Sequence, residues 1–293
     1  YVEIGAPLLL ISFARSGNSP ESIAAVEIAE TYCDDVHHLA ITCNRSGMLA
    51  QKVHKMKNGY AAVLPPSSED RGLAMTGSFT SMMLSAIYFS KFIRRKYDDT
   101  LNVLHNVAED SRQLIKTVSG GLKLLSAQPF ERIVFLGSGP LLGIARESHL
   151  KVQELTDGEV VGKFDSFLGF RHGPKAVVND KAVLAFLFSS DKHVYRYEKD
   201  LAEELLSLEK GRAMRSIGVF HSRHQSSEIP GFDLSIFARQ GKSPQPSDFD
   251  LLSYVLPAQI LGFYKSLDLG LQPDDPSKND AISRVVRGVK IYS

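Results

Sequence analysis

The sequence predicts an α/β fold made of two doubly wound, mostly parallel sheets in tandem. Two observations predict it. Apolar, β-rich runs alternate with helical patterns along the chain, as expected for parallel strands joined by crossover helices that cover both faces of a sheet. The 293 residues, 43% of them hydrophobic, also suffice for two ordinary cores.

In the first half, strands are predicted at Leu8–Phe13, His38–Thr42 and Ala61–Leu64. A helix follows the first strand, from Glu21 to about Tyr32. A long apolar helix runs from Ser78 to about Lys96, and its closing cluster Arg94-Arg95-Lys96 suits the negative end of a helix. Leu101 to Leu125 reads as a further helix. A new unit starts near Pro129, with strands at Arg132–Leu136, Val160–Phe164, Val183–Phe188, Ser216–Phe220 and Asp233–Ile236. Its helices fall near Leu142–Leu155, Tyr195–Lys210 and Phe249–Leu267. The polar stretch Gln240–Asp250, carrying Pro244 and Pro246, is a loop. The chain therefore divides into a first domain with a connecting helix (1–127) and a second domain with a C-terminal tail (128–293). The first half shows three strands against five, and the first residue is Tyr1. The expectation is a first domain lacking one or two βα units at its N-terminus.

The totals exclude several classes. A net charge of +1 creates no field that would draw nucleic acid or an anionic membrane. No apolar run is long enough to cross a bilayer, and the N-terminus lacks the order of a signal peptide. Cys33 and Cys43 suit a reducing cytosol as packing residues. A cytoplasmic protein without nucleic-acid or membrane partners is expected.

The most informative stretch is Leu8–Ile11 followed by Ser12-Phe-Ala-Arg-Ser-Gly-Asn-Ser-Pro-Glu21 and a helix. A helix start offers unpaired N–H groups and the positive end of the dipole. Hydroxyls at Ser12, Ser16 and Ser19 can donate to phosphate oxygens, and Gly17 lets the backbone come close. Ser19 as N-cap and Pro20 at the first helical position explain the same residues structurally, and capping is compatible with anion binding. The turn lacks the Gly-Lys-Ser/Thr ending of a Walker loop.

A second strand–turn–helix, Phe135-Leu-Gly-Ser138-Gly139-Pro-Leu-Leu-Gly143, has one residue too many for a dinucleotide fingerprint. A tight turn or a sugar contact through Ser138 fits better. The helix after it places Glu147, Lys151 and Glu154 on one face. These three form either a solvated salt-bridge face or a carboxylate base with a charge-stabilising lysine. Then comes Phe170-Arg-His172-Gly-Pro174, where the histidine is either a turn residue or a proton carrier near a strand end. His37-His38, ahead of a strand, and His221 and His224, in a polar loop, look less useful. No His, Cys and carboxylate residues fall at metal-ligand spacing, so no metal and no cofactor are expected.

These motifs together are familiar. The Ser-Gly-Asn-Ser-Pro-Glu turn resembles the phosphosugar loop of the sugar isomerase (SIS) superfamily, and Met75-Thr-Gly-Ser-Phe-Thr80 resembles a later helix start of the same domain. Glu147–Glu154 with Phe170–Pro174 resembles the second SIS domain of the isomerase half of glucosamine-6-phosphate synthase. Over its full length the chain is similar to the AgaS family, described as tagatose-6-phosphate ketose/aldose isomerases or galactosamine-6-phosphate deaminase/isomerases. The ending Arg284-Val-Val-Arg-Gly-Val-Lys-Ile-Tyr292 is part of that likeness.

The resemblance implies two flavodoxin-like SIS domains and a homodimer or higher homo-oligomer acting on a small sugar phosphate. It implies that Ser16 and Ser19 hold the phosphate with backbone help near Arg15 and Gly17; Ala14 stands where the synthase loop has an earlier serine, so Ser12 or Arg15 is expected to compensate, and Ser138 and Arg287 are expected to contact the phosphosugar. By the same resemblance Glu154 shuttles a proton between C1 and C2, Lys151 shares its site, and His172 opens the sugar ring, from a neighbouring subunit in the synthase. Arg287 stands where the synthase has a lysine, and an arginine stays protonated and forms no imine. The implied reaction turns a hexosamine 6-phosphate, galactosamine 6-phosphate first, into a ketose 6-phosphate (tagatose 6-phosphate) and ammonia. An aldose–ketose isomerase without ammonia release and a non-catalytic sugar-phosphate regulator are the alternatives. No basic helix-turn-helix is visible within these residues.

Overall fold

The structure is a computed structural model describing residues 6–95, 100–209, 211–240, 246–279, 282–284 and 289–292. Two compact units emerge: one comprises residues 1–94 with 277–293, the other 95–276.

The first unit carries β1 (Leu8–Ala14), α1 (Pro20–Tyr32), β2 (Val36–Thr42), α2 (Met48–His54), β3 (Gly59–Val63) and α3 (Gly77–Ile93). Its strands form a parallel sheet in the order β1-β2-β3. In β2 the side chains from His38 onward are all buried, as befits a central strand. β1, at the edge, alternates, and turns Leu9, Ile11 and Phe13 outward. A small core of Val26, Ala40, Leu49 and Val53 joins α1 and α2 to the sheet.

The second unit carries α4 (Thr100–Ser126), β4 (Arg132–Gly137), α5 (Pro140–Leu155), β5 (Val161–Asp165), α6 (Phe167–Phe170), β6 (Ala182–Leu187), α7 (Lys192–Leu206), β7 (Arg215–Phe220), α8 (Arg223–Ser226), β8 (Leu234–Phe237), α9 (Leu251–Tyr254) and α10 (Leu256–Asp268). Its five parallel strands run β5-β4-β6-β7-β8. This is the 2-1-3-4-5 order of doubly wound sheets, whose ligand crevice lies where successive connections leave in opposite directions. Here that point is between the ends of β4 and β6. Val134, Leu136, Leu184 and Phe186 pack one face of the sheet against α6 and α7. On the other face α5 lies on β4 and β5, with α10 against α5 and α4 against α10. Gly262 in α10 permits that approach, because a Cβ there would sit 2.8 Å from Leu155 Cδ1 and 3.2 Å from the Lys151 carbonyl.

All eight predicted strands are present within two residues of their expected ends. The units, however, are cut at Arg94 and Pro276, away from the expected boundary at residue 127. The reason is packing: α4 buries Val107, Leu114, Val118 and Leu122 among elements of the second unit. The expected helix Phe249–Leu267 is divided, because Pro257 starts a new helix, α10, after Tyr254. His37 and His38 lie inside β2, and His38 is buried and paired with Glu30 at 2.8 Å. Cys33 and Cys43 are buried and free.

Candidate functional site

In the first unit, the Ser16–Ser19 turn sits at the carboxyl end of β1 and opens α1, a 13-residue helix. Gly17 adopts φ +64°, and a Cβ on it would lie 3.3 Å from Leu49 Cβ, so only glycine fits without strain. The turn is pinned from behind. The Gly17 carbonyl accepts from the Leu49 amide at 2.9 Å, the Ser16 carbonyl from Asn44 Nδ2 at 3.0 Å, and Asn18 Oδ1 from the Met48 amide at 3.0 Å. Ser19 is the N-cap of α1, accepting from the Ser22 amide at 3.3 Å and lying 2.7 Å from the Ser22 hydroxyl. A helix dipole alone stabilises an anion by about 0.3–1 kcal/mol. Each hydrogen bond to a charged group adds about 1.5–3 kcal/mol. Hydroxyls at Ser16 and Ser19 therefore matter more to a phosphate than the dipole does.

Ser12 lies within β1, half-buried and four residues before Ser16. The Arg15 guanidinium is buried and donates to the carbonyls of Gly72 and Leu73, at 3.0 Å each, and of Arg284 at 3.1 Å. It braces the turn against the 72–73 loop and the C-terminal segment. Arg284 also pairs with Glu69 at 3.0 Å. Beside this loop, Asp70 caps α3. Its carboxylate accepts from the amides of Thr76, Gly77 and Ser78 and from the hydroxyls of Thr76 and Ser78. Burial opposes ionisation of Asp70, but the Ser78 and Thr76 hydrogen bonds win and hold its carboxyl below the usual range. The Met75–Thr80 helix start is thus organised by an aspartate that the sequence motif did not single out. Arg287 lies outside the described residues.

In the second unit, Glu147, Lys151 and Glu154 meet on α5. Lys151 is 1% exposed, with Nζ 2.7 Å from Glu154 Oε2 and 3.2 Å from Glu147 Oε1. A solvated salt-bridge face is excluded, because such pairs are worth about 0–1 kcal/mol and leave both partners wet. A buried ammonium costs several kcal/mol unless paired, so the two glutamates hold Lys151 in place. Burial pushes the Glu147 carboxyl up, against the pull of Lys151. Glu154 keeps about a quarter of its side chain exposed. It is the member of the trio best placed to meet a solute. His172 is exposed, ahead of the Gly173–Val177 turn of 3-10 helix, and no described hydrogen bond or ion pair joins it to Glu147, Lys151 or Glu154.

Ser138 lies elsewhere, at the β4/β6 crevice. There a cavity of about 170 Å³ is lined by Ser138, Ser189, Ser190, His221, Ser247 and Asp248, among others. His221 is buried and 3.2 Å from Asp250, which also accepts from Arg239 at 3.2 Å. Arg239 in turn reaches Asp110 at 3.1 Å. Beneath the cavity lies Glu198, fully buried on α7, with Oε2 accepting from the Ser189 amide at 2.7 Å. Burial raises its carboxyl to about 7, despite the Ser189 amide and the Ser138 hydroxyl beside it. Sequence reasoning set His221 aside and did not single out Glu198 or Asp250. A single Glu in an amphipathic helix gives no sign of facing a sheet's end.

Among the described residues no group of three His, Cys, Asp or Glu side chains is placed to hold a metal ion, and no helix is long and apolar enough to cross a membrane.

No protein-family model matches the chain. Similar proteins do. The D-galactosamine-6-phosphate deaminase AgaS of Shewanella sp. (strain ANA-3) is 37% identical over 292 residues, spanning 100% of this chain and 69% of that protein. The protein of the same name from Escherichia coli is 38% identical over 298 residues, covering 100% and 74%. Among solved structures, the tagatose-6-phosphate ketose/aldose isomerase from Escherichia coli superposes with a TM-score of 0.86 at 35% identity, over 100% of this chain and 74% of that one. With its parallel α/β sheets, serine turn and Glu–Lys–Glu helix, the chain belongs to the AgaS family.

Proposed function

We propose that this protein is an aminosugar-phosphate deaminase/isomerase that converts galactosamine 6-phosphate and water into tagatose 6-phosphate and ammonia. The observation that carries it is the buried Lys151 clamped between Glu147 and Glu154. This arrangement holds one carboxylate ready for proton transfer, in a chain whose family members are named as deaminases of that substrate.

Ser16 and Ser19 hold the 6-phosphate, with Arg15, Gly17 and Ser12 shaping the turn. His172 moves the proton that opens the sugar ring. Glu154 takes the proton from C2 and returns it at C1, through an enolamine. The resulting C2 imine adds water and expels ammonia, leaving the ketose. Lys151 holds the Glu154 carboxylate and offsets negative charge developing on O1. Ser138 and Arg287 are assigned to sugar contacts. Every step moves protons or water, so no redox cofactor is assigned. A homodimer or higher homo-oligomer in the cytoplasm suits this role, with His172 serving a neighbouring subunit.

The test is incubation with galactosamine 6-phosphate, scoring ammonia and ketose together. Both are expected in equal amounts. Glu154→Gln is expected to lower kcat by about 10²–10⁴ with the fold intact, and near wild-type turnover would reject the base assignment. The name of the solved isomerase from Escherichia coli favours a second scheme, aldose–ketose isomerisation alone. Ketose formed from an aldose phosphate, with no ammonia from the aminosugar, would select it.

A further inference from the structure

Among the described residues, β3 has a strand on one side only, its neighbour β2. Two hydrogen bonds fix which backbone groups face the open side. The His38 amide donates to the Asn58 carbonyl, and the Leu64 amide donates to the Thr42 carbonyl. Alternate residues of a parallel strand bond to one neighbour, so Tyr60 and Ala62 point their backbone groups at β2. Gly59, Ala61 and Val63 point theirs away. The Gly59 amide is taken by the Met56 carbonyl. No described hydrogen bond reaches the three outward carbonyls or the amides of Ala61 and Val63.

The same three residues line a groove of about 760 Å³ with Arg45, His54 and Tyr60. Ala61 packs under α2 with Val53, so α2 walls one face of the groove. Side chains alternate along a strand, which puts Tyr60, 69% exposed, on the other face. Proteins blunt an open edge with lysine, proline or a bulge. β3 reads Gly-Tyr-Ala-Ala-Val, pairs with β2 in unbroken register and has none of these.

Charge selects the occupant. Arg45 follows β2, at the carboxyl end of the sheet, while His54 closes α2 at the other end, with Lys55 and Lys57 after it. All four are exposed, and no described ion pair engages them. The nearby acids are taken: Glu27 pairs with Lys52, and Glu30 with His38 and Asn58. No aspartate or glutamate lines the groove. A second copy of the chain, paired edge to edge about a two-fold axis, would set the basic end of one strand against the basic end of the other.

We propose that the β3 edge docks an extended acidic peptide segment of another protein, added to the sheet as a further strand. The outward backbone groups of Gly59, Ala61 and Val63 pair with the peptide backbone. Arg45 at one end, and Lys55 and Lys57 at the other, receive its carboxylates. β3 is five residues long, a span of about 16 Å, so a short segment with acidic ends fills it.

The probe is a capped, fluorescent peptide, Asp-Glu-Val-Thr-Val-Asp-Glu, followed by anisotropy against the full chain. Saturable binding in the micromolar range is expected. A control peptide with Pro-Pro in place of Val-Thr keeps the charge but loses edge pairing in either register, and is expected to bind at least about tenfold more weakly. Ala61→Pro removes an outward amide without touching the bonds to β2, and should weaken binding to a similar degree with the thermal midpoint retained. The Arg45→Glu/Lys57→Glu double variant should also weaken binding and flatten its dependence on salt. Absence of saturable binding, equal binding of the proline control, or undiminished binding by the double variant would each overturn the proposal. So would a wild-type chain that is a dimer split by Ala61→Pro, which would give the edge to a second copy. The proline control on the wild-type chain decides even if Ala61→Pro misfolds.

Discussion

Lys151 Nζ lies 2.7 Å from Glu154 Oε2 in a setting where the lysine is 1% exposed and the glutamate is still partly wet. The ammonium is therefore structural and electrostatic at once. It is held by Glu147 from the other side, and Glu154 keeps more access to solvent than either of the other two.

Lys151→Met should be costly. It strands two carboxylates around an apolar side chain, and breaking a buried pair costs about 3–5 kcal/mol. Urea denaturation near neutral pH measures it. A loss under about 1 kcal/mol would mean that the trio is solvated in solution. Glu147→Gln in the same background should recover part of the loss by removing one stranded charge.

Asp70→Asn should loosen the start of α3. The carboxylate receives bonds from three amides and two hydroxyls, and an amide side chain cannot accept them all. A loss of about 2 kcal/mol is expected. The Asp70 carboxyl is held low in the fold, so its contribution is present above the unfolded value and fades as pH falls through the folded one. The difference in thermal midpoint between wild type and variant should thus shrink in acid. A constant difference would remove Asp70 from the account of acid sensitivity.

Glu198 predicts the opposite slope. Its carboxyl rises from an ordinary 4.5 to about 7 on folding. The folded state then binds more protons than the unfolded one, and stability falls as pH rises between those values. The full effect is about 3 kcal/mol. Unfolding free energies of wild type and Glu198→Gln, compared at about pH 5 and about pH 8, should diverge by that order, with the glutamine variant relatively better at high pH. Parallel curves would show that Glu198 does not titrate in this window.

Gly17→Ala forces a side chain onto φ +64° and against Leu49. A cost of about 1–2 kcal/mol is expected from the backbone alone. If Ser16 and Ser19 bind the phosphate, KM should rise more than kcat falls, because the turn holds the end of the substrate that does not react. An unchanged KM would detach the turn from substrate binding.

Much of this fold was legible because parallel strands buried on both faces leave near-continuous apolar runs, as in β4, β6 and β7. The Glu–Lys–Glu face was legible from helical spacing, but its burial was not: α10 closes over α5 through Gly262, a tertiary event that no local pattern records. α2 escaped because seven residues starting at a glycine cap carry too little periodicity. His221 looked like loop polarity, since its partner Asp250 lies 29 positions away. Glu198 and Asp70 have nearer partners, nine and eight positions away, but those lie across an element boundary that no periodic pattern spans.

The Arg15 guanidinium and the Arg284 carbonyl are 269 positions apart in the chain yet share a hydrogen bond. On a ribosome adding about 5–20 residues per second, the serine turn leaves the tunnel long before its last brace exists. A nascent chain could thus assemble its entire second sheet while the brace behind the serine turn is still unfinished. Order of synthesis thus puts a long-range contact, not a local one, behind the candidate phosphate turn.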